Sequence, residues 1–410
     1  MDQLNMSSED KLLLYCARVN VSDDVAPKIK EILSADIDWD EVIDRSLIQG
    51  ISPMLYWNLS KINGGKSVPA EILANLRNMY YGNLTRNVLL YNELSNILKA
   101  FKELGIDVVV LKGAFLAEAI YKNVGLRLMR DIDLLIKEED IQRAKMELAN
   151  LMYYSPIFPS KLHEDWYTKW SEELQFISKN KNVLVDIHWD IQPVIGYPKI
   201  DINHLWENVK PTNIAGIDTL MLSPEYILLH LCLHLDKHLF SPSGPPAKPL
   251  RNFCDIAEVI RHYKESINWG YLLRISKNYG IEKQIYKGLF VASQCFEAFV
   301  PTEILCELKS EEFSFDFENI LKTKYTNSPM KKTPSEIGYF RRLSRLNGIR
   351  NKVLILFSDV FPCKEYMMQN YSINNEIQVY AYYLVRFVAA IRFGLIILWQ
   401  LPFYIFGHSD

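Results

Sequence analysis

The stretch LKGAFLAEAIYKNVGLRLMRDIDLLI, residues 111–136, carries the pattern from which the fold is predicted. Its Lys112-Gly113 pair ends the β-branched segment IDVVVL, which predicts a short strand. The segment AFLAEAIY predicts a short helix, and DIDLLI predicts a second strand that contains Asp131 and Asp133. Aspartate is a poor strand former, so two of them in one apolar strand indicate a role beyond packing.

The surrounding segments predict a small α/β core between helical regions. After DIDLLI come a predicted helix, EEDIQRAKMELANLMYY, and two predicted strands, LQFIS and VLVDIHW, joined by the turn KNKN. Helical patterns precede residue 101, and from Ser223 onward a serine cap followed by proline opens further helices. The predicted regions are 1–100 helical, 101–215 α/β core, 216–310 helical, and 311–410 basic, apolar and helical.

Composition limits the class of protein. Of the 410 residues, 49% are hydrophobic, which is typical of a globular chain. A net charge of −3 gives no electrostatic reason to expect a long nucleic acid as partner. The 6 cysteines include no Cys-x-x-Cys pair, which favours reduced thiols over disulfides or a zinc site. The N-terminal segment MDQLNMSSEDK lacks the apolar core of a secretory signal, so we expect a cytoplasmic protein.

Three aspartates form the main candidate site. Alternate side chains of a strand share a face, so Asp131 and Asp133 project together while Ile132 and Leu134 enter the core. Asp186, in VLVDIHW, repeats the arrangement in another predicted strand. Magnesium prefers oxygen ligands, and three carboxylates on adjacent strands would hold two metal ions for phosphoryl or nucleotidyl transfer. The alternative is that Asp131 and Asp133 lie at a frayed strand start and face solvent.

Candidate phosphate ligands precede the aspartates. Gly113 would allow backbone amides to approach a phosphate, and Lys112 would supply a positive charge. Arg127 and Arg130 are further candidates, with solvated loop cations as the alternative. His188 should share the face of Asp186, where it would orient an acceptor or act as a base. Its alternative is a strand-end histidine bonded to backbone.

A family resemblance rests on these residues. The run LKG, a tyrosine, GLRLMRDIDLLI and VDIHW resembles the nucleotidyltransferase superfamily that includes DNA polymerase β, and more closely a bacterial nucleotidyltransferase family. The resemblance implies an α+β fold, with a small mixed-sheet nucleotidyltransferase core embedded in a mainly helical protein. It makes Asp131 and Asp133 metal ligands and Asp186 the third carboxylate, which activates the acceptor hydroxyl. Lys112 and Gly113 would occupy the triphosphate-binding turn.

The implied reaction moves a nucleoside monophosphate from a nucleoside triphosphate to an acceptor hydroxyl and releases pyrophosphate. The implied cofactor is two Mg²⁺ ions, or Mn²⁺, and the acceptor is a small molecule, a sugar or a protein. The superfamily usually has Gly-Ser or Gly-Gly at the turn, whereas this chain has Gly113-Ala114. A second hypothesis is therefore a catalytically degenerate protein that binds a nucleotide or a partner.

The histidines of the helix after Ser223 form a separate pattern. His230, His234 and His238 recur every four residues, and three such side chains do not converge easily on one ion from a straight helix. We expect them to be polar residues packed against the core. Asp255 and Arg251 are expected to cap or pair with one of them.

The C-terminal segment from Val379 to Phe406 is almost wholly apolar. Arg392 and Pro402 leave too short an uncharged stretch for a membrane-spanning helix. The favoured prediction is a helix buried against the core. The alternative is an amphipathic helix in a membrane interface, because residues 331–352 hold seven Lys and Arg against one Glu and would attract anionic lipid.

Overall fold

The computed structural model describes residues 6–155, 157–191, 200–239, 249–309, 348–371, 375 and 377–390. These residues divide into two compact units. Unit 1 comprises residues up to Tyr154 and residues 172–309, and it contains the sheet. Unit 2 comprises residues 155–171 and the described residues from 348 onward.

Within the described residues, five α-helices precede the first strand. They are α1 (Ser8–Cys16), α2 (Ala26–Ile32), α3 (Trp39–Gln49), α4 (Ser52–Lys61) and α5 (Ala70–Glu103). Asp38 caps α3 by accepting a hydrogen bond from the Glu41 amide, and Gly50 ends it in the left-handed conformation. Helix α5, of 34 residues, leads directly into the sheet and packs against α4.

In the part of the chain that the structure describes, the sheet has seven strands in the order β3-β4-β5-β2-β1-β7-β6. The strands are β1 (Val109–Val110), β2 (Asp131–Leu135), β3 (Tyr153–Tyr154), β4 (Glu173–Ser178), β5 (Leu184–His188), β6 (Lys210–Ile214) and β7 (Ile217–Met221). The pairs β2–β5 and β1–β7 are parallel and the other four are antiparallel. This mixed sheet within a mainly helical chain confirms the predicted fold class.

Between the strands lie short helices. They are α6 (Lys112–Phe115), a π-helical turn (Leu116–Ile120), α7 (Ile141–Asn150), α8 (Lys161–Trp170) and α9 (Ile202–Glu207). A helical layer follows the sheet, with α10 (Pro224–Leu239), α11 (Pro249–Tyr263), α12 (Trp269–Asn278), α13 (Glu282–Phe296) and α14 (Thr302–Leu308). Helices α10, α11 and α13 pack on one another, and α11 also packs on α3. The N-terminal helices α1 and α3 thus contact the later helices α13 and α11.

Three local predictions differ from the structure. The strand predicted over IDVVVL is reduced to β1, because only two of its residues pair with β2 and β7. Tyr153 and Tyr154, predicted as helix, form β3, because Met152 takes a positive φ of 64° that ends the helical path. The hairpin β6–β7 was not predicted; its turn places Ala215 and Gly216 at φ of 54° and 74°, which suits a two-residue hairpin loop. The sheet therefore extends to Met221.

Unit 2 joins segments that are distant in sequence. It contains α8, α15 (Ile349–Val360), α16 (Lys364–Tyr371) and α17, which spans residues 377–390. His163 Nε2 lies 3.0 Å from Asp359 Oδ1, and the Cys363 amide donates to the Pro159 carbonyl. The predicted burial of the C-terminal helix is wrong for its described part, since α17 exposes most of its apolar side chains. Residues 391–410 lie outside the described residues.

Candidate active site

The sheet places the predicted aspartates side by side. Parallel pairing of β2 with β5 sets Asp133 opposite Asp186 in register. Antiparallel pairing of β4 with β5 sets Gln175 opposite Asp186 and Glu173 opposite His188. Because paired residues of neighbouring strands point to the same face, these side chains share one face with Asp131. Ile132 and Leu134 point to the other face and are buried, as expected from the sequence.

Asp133 lies at the centre of this face. Lys112 Nζ donates to Asp133 Oδ1 at 2.8 Å, and His188 Nε2 lies 2.9 Å from the same oxygen. The second ring nitrogen of His188 lies 3.3 Å from Glu173 Oε2. Burial disfavours the charged form of Asp133, but the Lys112 ammonium and then His188 outweigh it and hold the pKa of this carboxyl far below its usual range. Asp133 is therefore an ionised carboxylate in a positive environment.

Asp131 and Asp186 have the opposite electrostatics. Burial and then the charge of Asp133 raise the pKa of Asp131. Burial, followed by the charges of Asp133 and Asp131, raises the pKa of Asp186 to about 7. Gln175 Nε2 donates to Asp186 Oδ1 at 3.0 Å and fixes that carboxyl. The face thus combines one strongly ionised carboxylate with two that gain protons more easily.

The Lys112-Gly113 turn connects β1 to this face. The Leu111 amide donates to the Asp133 carbonyl, so Lys112 follows directly beside β2. Lys112 has a φ of 40°, a backbone conformation that costs energy in a residue with a side chain and is enriched at functional sites. A Cβ on Gly113 would lie 2.9 Å from Arg127 Nη1 and 3.2 Å from Met129 Cγ. Gly113 therefore allows the turn to pack closely against the loop before β2.

Arg127 is buried in that loop rather than solvated. Its Nε and Nη2 donate to the two carboxylate oxygens of Asp255 on α11, at 2.9 and 2.8 Å. The Tyr121 hydroxyl donates to Asp255 Oδ1 at 2.7 Å. Asp255 therefore pairs with Arg127, and the prediction that it caps or pairs with a histidine is wrong. Arg130, the other arginine candidate, is exposed beside Asp131.

Helix α5 fixes the same loop through its asparagines. Asn83 Nδ2 donates to the carbonyls of Gly125 and Arg127, at 2.8 and 3.3 Å. Asn87 Nδ2 donates to the carbonyls of Val124 and Arg127, at 2.5 and 2.8 Å. The loop that leads into Asp131 is thus fixed by α5 on one side and by Asp255 on the other.

The histidine helix α10 lies near the site, and its described side chains form no metal-ligand cluster. His230 is buried, and its Nδ1 lies 2.8 Å from the Ile191 carbonyl. Burial, and then the charge of Lys112, lowers the pKa of His230 to about 3, so the ring is neutral. His234 is half-buried, with its ring 6.4 Å from that of His230, and the side chain of His238 lies outside the described residues. Arg251 Nη1 donates to the Leu128 carbonyl, which adds to the support of the loop before β2.

The carboxylate oxygens of this face are suitable ligands for a hard cation. Carboxylate oxygens are the ligands that Mg²⁺ prefers, and it is commonly bound by one or two carboxylates together with substrate phosphates. The raised pKa values of Asp131 and Asp186 reflect burial and mutual repulsion, and a cation would relieve the repulsion. Among the described residues, no three His, Cys, Asp or Glu side chains are arranged to hold an ion by themselves. The arrangement fits a cation that shares two carboxylates with a phosphate better than a closed protein cage.

The part of the chain that contains these residues matches a known protein family. The model of a family described as "Uncharacterised nucleotidyltransferase" matches residues 35–297, more than half of the 410-residue chain. The chain belongs to this family. The match spans the whole sheet, the three aspartates and Asp255. It confirms that the chain is similar to nucleotidyltransferases, as expected from the sequence.

The solved structures of two other proteins align with about half of this chain. The solution structure of the antibiotic-resistance factor ANT(2'')-Ia aligns at 15% identity with a TM-score of 0.31, over 51% of this chain and 96% of that one. An antigenic nucleotidyltransferase-like protein from Paracoccidioides brasiliensis aligns at 18% identity and a TM-score of 0.32, over 53% and 95%. Scores this low carry no argument about this chain. No curated protein matches it.

The site contains groups that the sequence did not single out. Glu173 and Gln175 contact His188 and Asp186, and their only sequence signal is the polar-apolar alternation of ELQFIS. Asn83 and Asn87 lie in a long helix, where an asparagine ordinarily indicates a solvent-facing position. Their role depends on the loop that folds against them.

Proposed function

We propose that the protein is a metal-dependent nucleotidyltransferase that moves a nucleoside monophosphate from a nucleoside triphosphate to an acceptor hydroxyl. One observation carries this proposal: Asp131, Asp133 and Asp186 share one face of two parallel strands, in register and next to the half-buried Lys112. Membership of a nucleotidyltransferase family supports the reaction class. The three carboxylates supply the proton acceptor and oxygen ligands that such a transfer uses.

Asp186 is the proposed proton acceptor. A general base works best with a pKa near the working pH, and burial beside two carboxylates raises the pKa of Asp186 to about 7. The acceptor hydroxyl forms the new bond to the α-phosphorus and gives its proton to Asp186. The bond from the α-phosphorus to the bridging oxygen breaks, and pyrophosphate leaves. Gln175 keeps the carboxyl in place throughout.

Asp131 and Asp133 are the proposed metal ligands. A bound Mg²⁺ or Mn²⁺ would neutralise charge on the triphosphate and on the leaving pyrophosphate. Lys112 keeps Asp133 ionised, and its ammonium has further hydrogens that can be donated to a phosphate oxygen. Arg130, exposed at the start of β2, is the second proposed phosphate ligand. Arg127 supports the loop instead, because Asp255 already occupies its guanidinium.

A second candidate is a protein that binds a nucleotide and performs no transfer. It is favoured by the contacts of Asp133, whose Oδ1 is already shared by Lys112 and His188. The Gly113-Ala114 pair, which lacks a serine hydroxyl, favours it too. Both features weaken metal and triphosphate binding without removing the carboxylates.

Label transfer from α-labelled triphosphates separates the two candidates. All four triphosphates are incubated with Mg²⁺ or Mn²⁺ and with panels of hydroxylated small molecules, sugars and proteins, and pyrophosphate release is measured in parallel. We expect Asp131→Asn and Asp133→Asn to abolish both signals. Asp218→Asn, at a solvent-exposed position of β7, should leave them unchanged. Calorimetry that shows triphosphate binding, together with no turnover on any acceptor, would favour the second candidate. Undiminished transfer by Asp131→Asn or Asp133→Asn would overturn the proposed site.

A second readout does not depend on the acceptor. Mn²⁺ binding, followed by electron paramagnetic resonance, should be detectable with the wild-type protein and triphosphate and should weaken in Asp131→Asn. Equal Mn²⁺ affinity in the two proteins would place the metal elsewhere.

A further inference from the structure

Helix α17 exposes apolar side chains to solvent. Leu384 and Val388 are 69% and 65% exposed, and Ile377 lies on the same side of the helix. The opposite side, with Val379 buried and Tyr383 half-buried, faces the interior of unit 2. A helix on the surface of a soluble domain normally shows the reverse pattern, with polar side chains outside.

Helix α15 continues this apolar surface. Ile349, Val353 and Phe357 recur every four residues and are all exposed, while Ile355 is fully buried on the other side. Phe361, at the end of α15, stacks on Phe387 of α17 with ring centroids 6.1 Å apart. The two helices therefore present one continuous apolar surface within unit 2.

The charged group of α17 is directed inward. Arg386 Nη1 donates to the Tyr371 hydroxyl at 2.6 Å, Nε donates to the Val360 carbonyl at 3.4 Å, and Nη2 donates to the Asp359 carbonyl. The guanidinium thus satisfies polar groups inside unit 2 while leucine and valine face outward. Such an arrangement suits surroundings that are more apolar than water.

We propose that this surface of α15 and α17 lies on the face of an anionic lipid bilayer. The sequence on both sides supports a lipid occupant. Residues 331–352, which run into α15, hold seven Lys and Arg against one Glu, a cluster that anionic headgroups attract. Residues 393–406, after α17, contain no charged side chain. An apolar surface with a basic flank is the pattern of an interfacial anchor.

The contact is interfacial rather than spanning. None of the helices in the described ranges combines the length and the apolar character needed to cross a bilayer. Tyr380 and Tyr382 are exposed on α17, and tyrosines with one apolar and one polar end are favoured at the membrane–water interface. A protein surface in their place would not need the basic flank, so lipid is the occupant that accounts for both features.

Vesicle flotation of the full chain tests the proposal. Wild-type protein should float with vesicles of phosphatidylcholine and phosphatidylserine at low salt, and should float much less with phosphatidylcholine alone or at high salt. The double variant Leu384→Glu/Val388→Glu should partition about a hundredfold more weakly, because two apolar contacts are lost. The matched control is Leu89→Glu/Met146→Glu, which changes two apolar residues of unit 1 that are 59% and 64% exposed and should float like wild type.

Four results would overturn the proposal. The first is wild-type protein that does not float with anionic vesicles, and the second is wild-type protein that floats equally well with neutral and anionic vesicles. The third is a Leu384→Glu/Val388→Glu variant that floats as well as wild type. The fourth is a wild-type dimer in gel filtration that becomes a monomer in this variant. The last result would assign the surface to a second copy of the chain. Circular dichroism of each variant shows whether it folds, and Leu384→Ser/Val388→Ser replaces the glutamate variant if that one does not.

Discussion

Replacing Asp255 by asparagine should destabilise unit 1 and disorganise the loop that leads into the candidate site. The side-chain oxygen of asparagine can still accept from the Tyr121 hydroxyl and Arg127 Nε. Its NH₂ group would then face Arg127 Nη2, and two donors cannot form a hydrogen bond with each other. The Arg127 guanidinium would then be buried without the carboxylate that is hydrogen-bonded to it. Removal of one partner from a buried ion pair costs about 3–5 kcal/mol.

Chemical denaturation measures this cost. The midpoint should fall while the slope with denaturant is unchanged, because the buried area is the same. The matched control is Asp218→Asn, which breaks the solvent-exposed Lys102–Asp218 pair with the same substitution and should leave the midpoint where it was. A midpoint for Asp255→Asn equal to that of Asp218→Asn would refute the reasoning, because it would show that the stability of unit 1 does not depend on the Arg127–Asp255 ion pair.

Three further predictions concern the same unit. Gly113→Ala should lower the free energy of unfolding by about 1–3 kcal/mol, because the new Cβ would lie 2.9 Å from Arg127 Nη1. Gly82→Ala should instead raise it by about 0.5–1 kcal/mol, because Gly82 is an exposed position of α5 where a new Cβ meets nothing within 4 Å. Equal unfolding midpoints for these two would contradict the packing argument. Asn87→Ala should cost about 1–3 kcal/mol in the same assay, since two loop carbonyls lose a donor. In metal-free buffer the folded pKa of Asp186 is about 7, above its unfolded value, so the contribution of this carboxyl to stability should fall as pH rises from about 4 to about 7. The stability of wild type relative to Asp186→Asn should therefore fall over this range, and parallel stability–pH curves for the two proteins would refute the prediction.

The strands that carry the site were predictable because their signal is local. An alternating pattern places Asp131 and Asp133 on one face whatever surrounds β2, and Asp186 shows the same pattern in β5. That the two strands are parallel neighbours, in register at Asp133 and Asp186, depends on long-range pairing, which no local pattern specifies. Even so, three isolated acids in apolar strands were enough to predict the cluster.

The role of Arg127 was not predictable from its neighbours in sequence. A cation in a glycine-containing loop ordinarily indicates a solvated or ligand-binding side chain. Asp255, its partner, lies 128 residues later in an amphipathic helix whose pattern shows only that one side is buried. The outward-facing α17 was mispredicted for a related reason. Apolar residues in a terminal segment are usually buried, and the inward contacts of Arg386 became visible only in the structure.

The assembly of unit 2 from residues 155–171 and 348–390 has a consequence for biosynthesis. The contact between His163 and Asp359 joins residues 196 positions apart in the chain. At a translation rate of about 5–20 residues per second, the earlier segment waits roughly 10–40 s on the ribosome before its partner is made. During that interval α8 has no native neighbour from the later segment, so it is exposed to chaperones and proteases. A nascent chain stopped before residue 348 should therefore be cleaved first between β3 and β4.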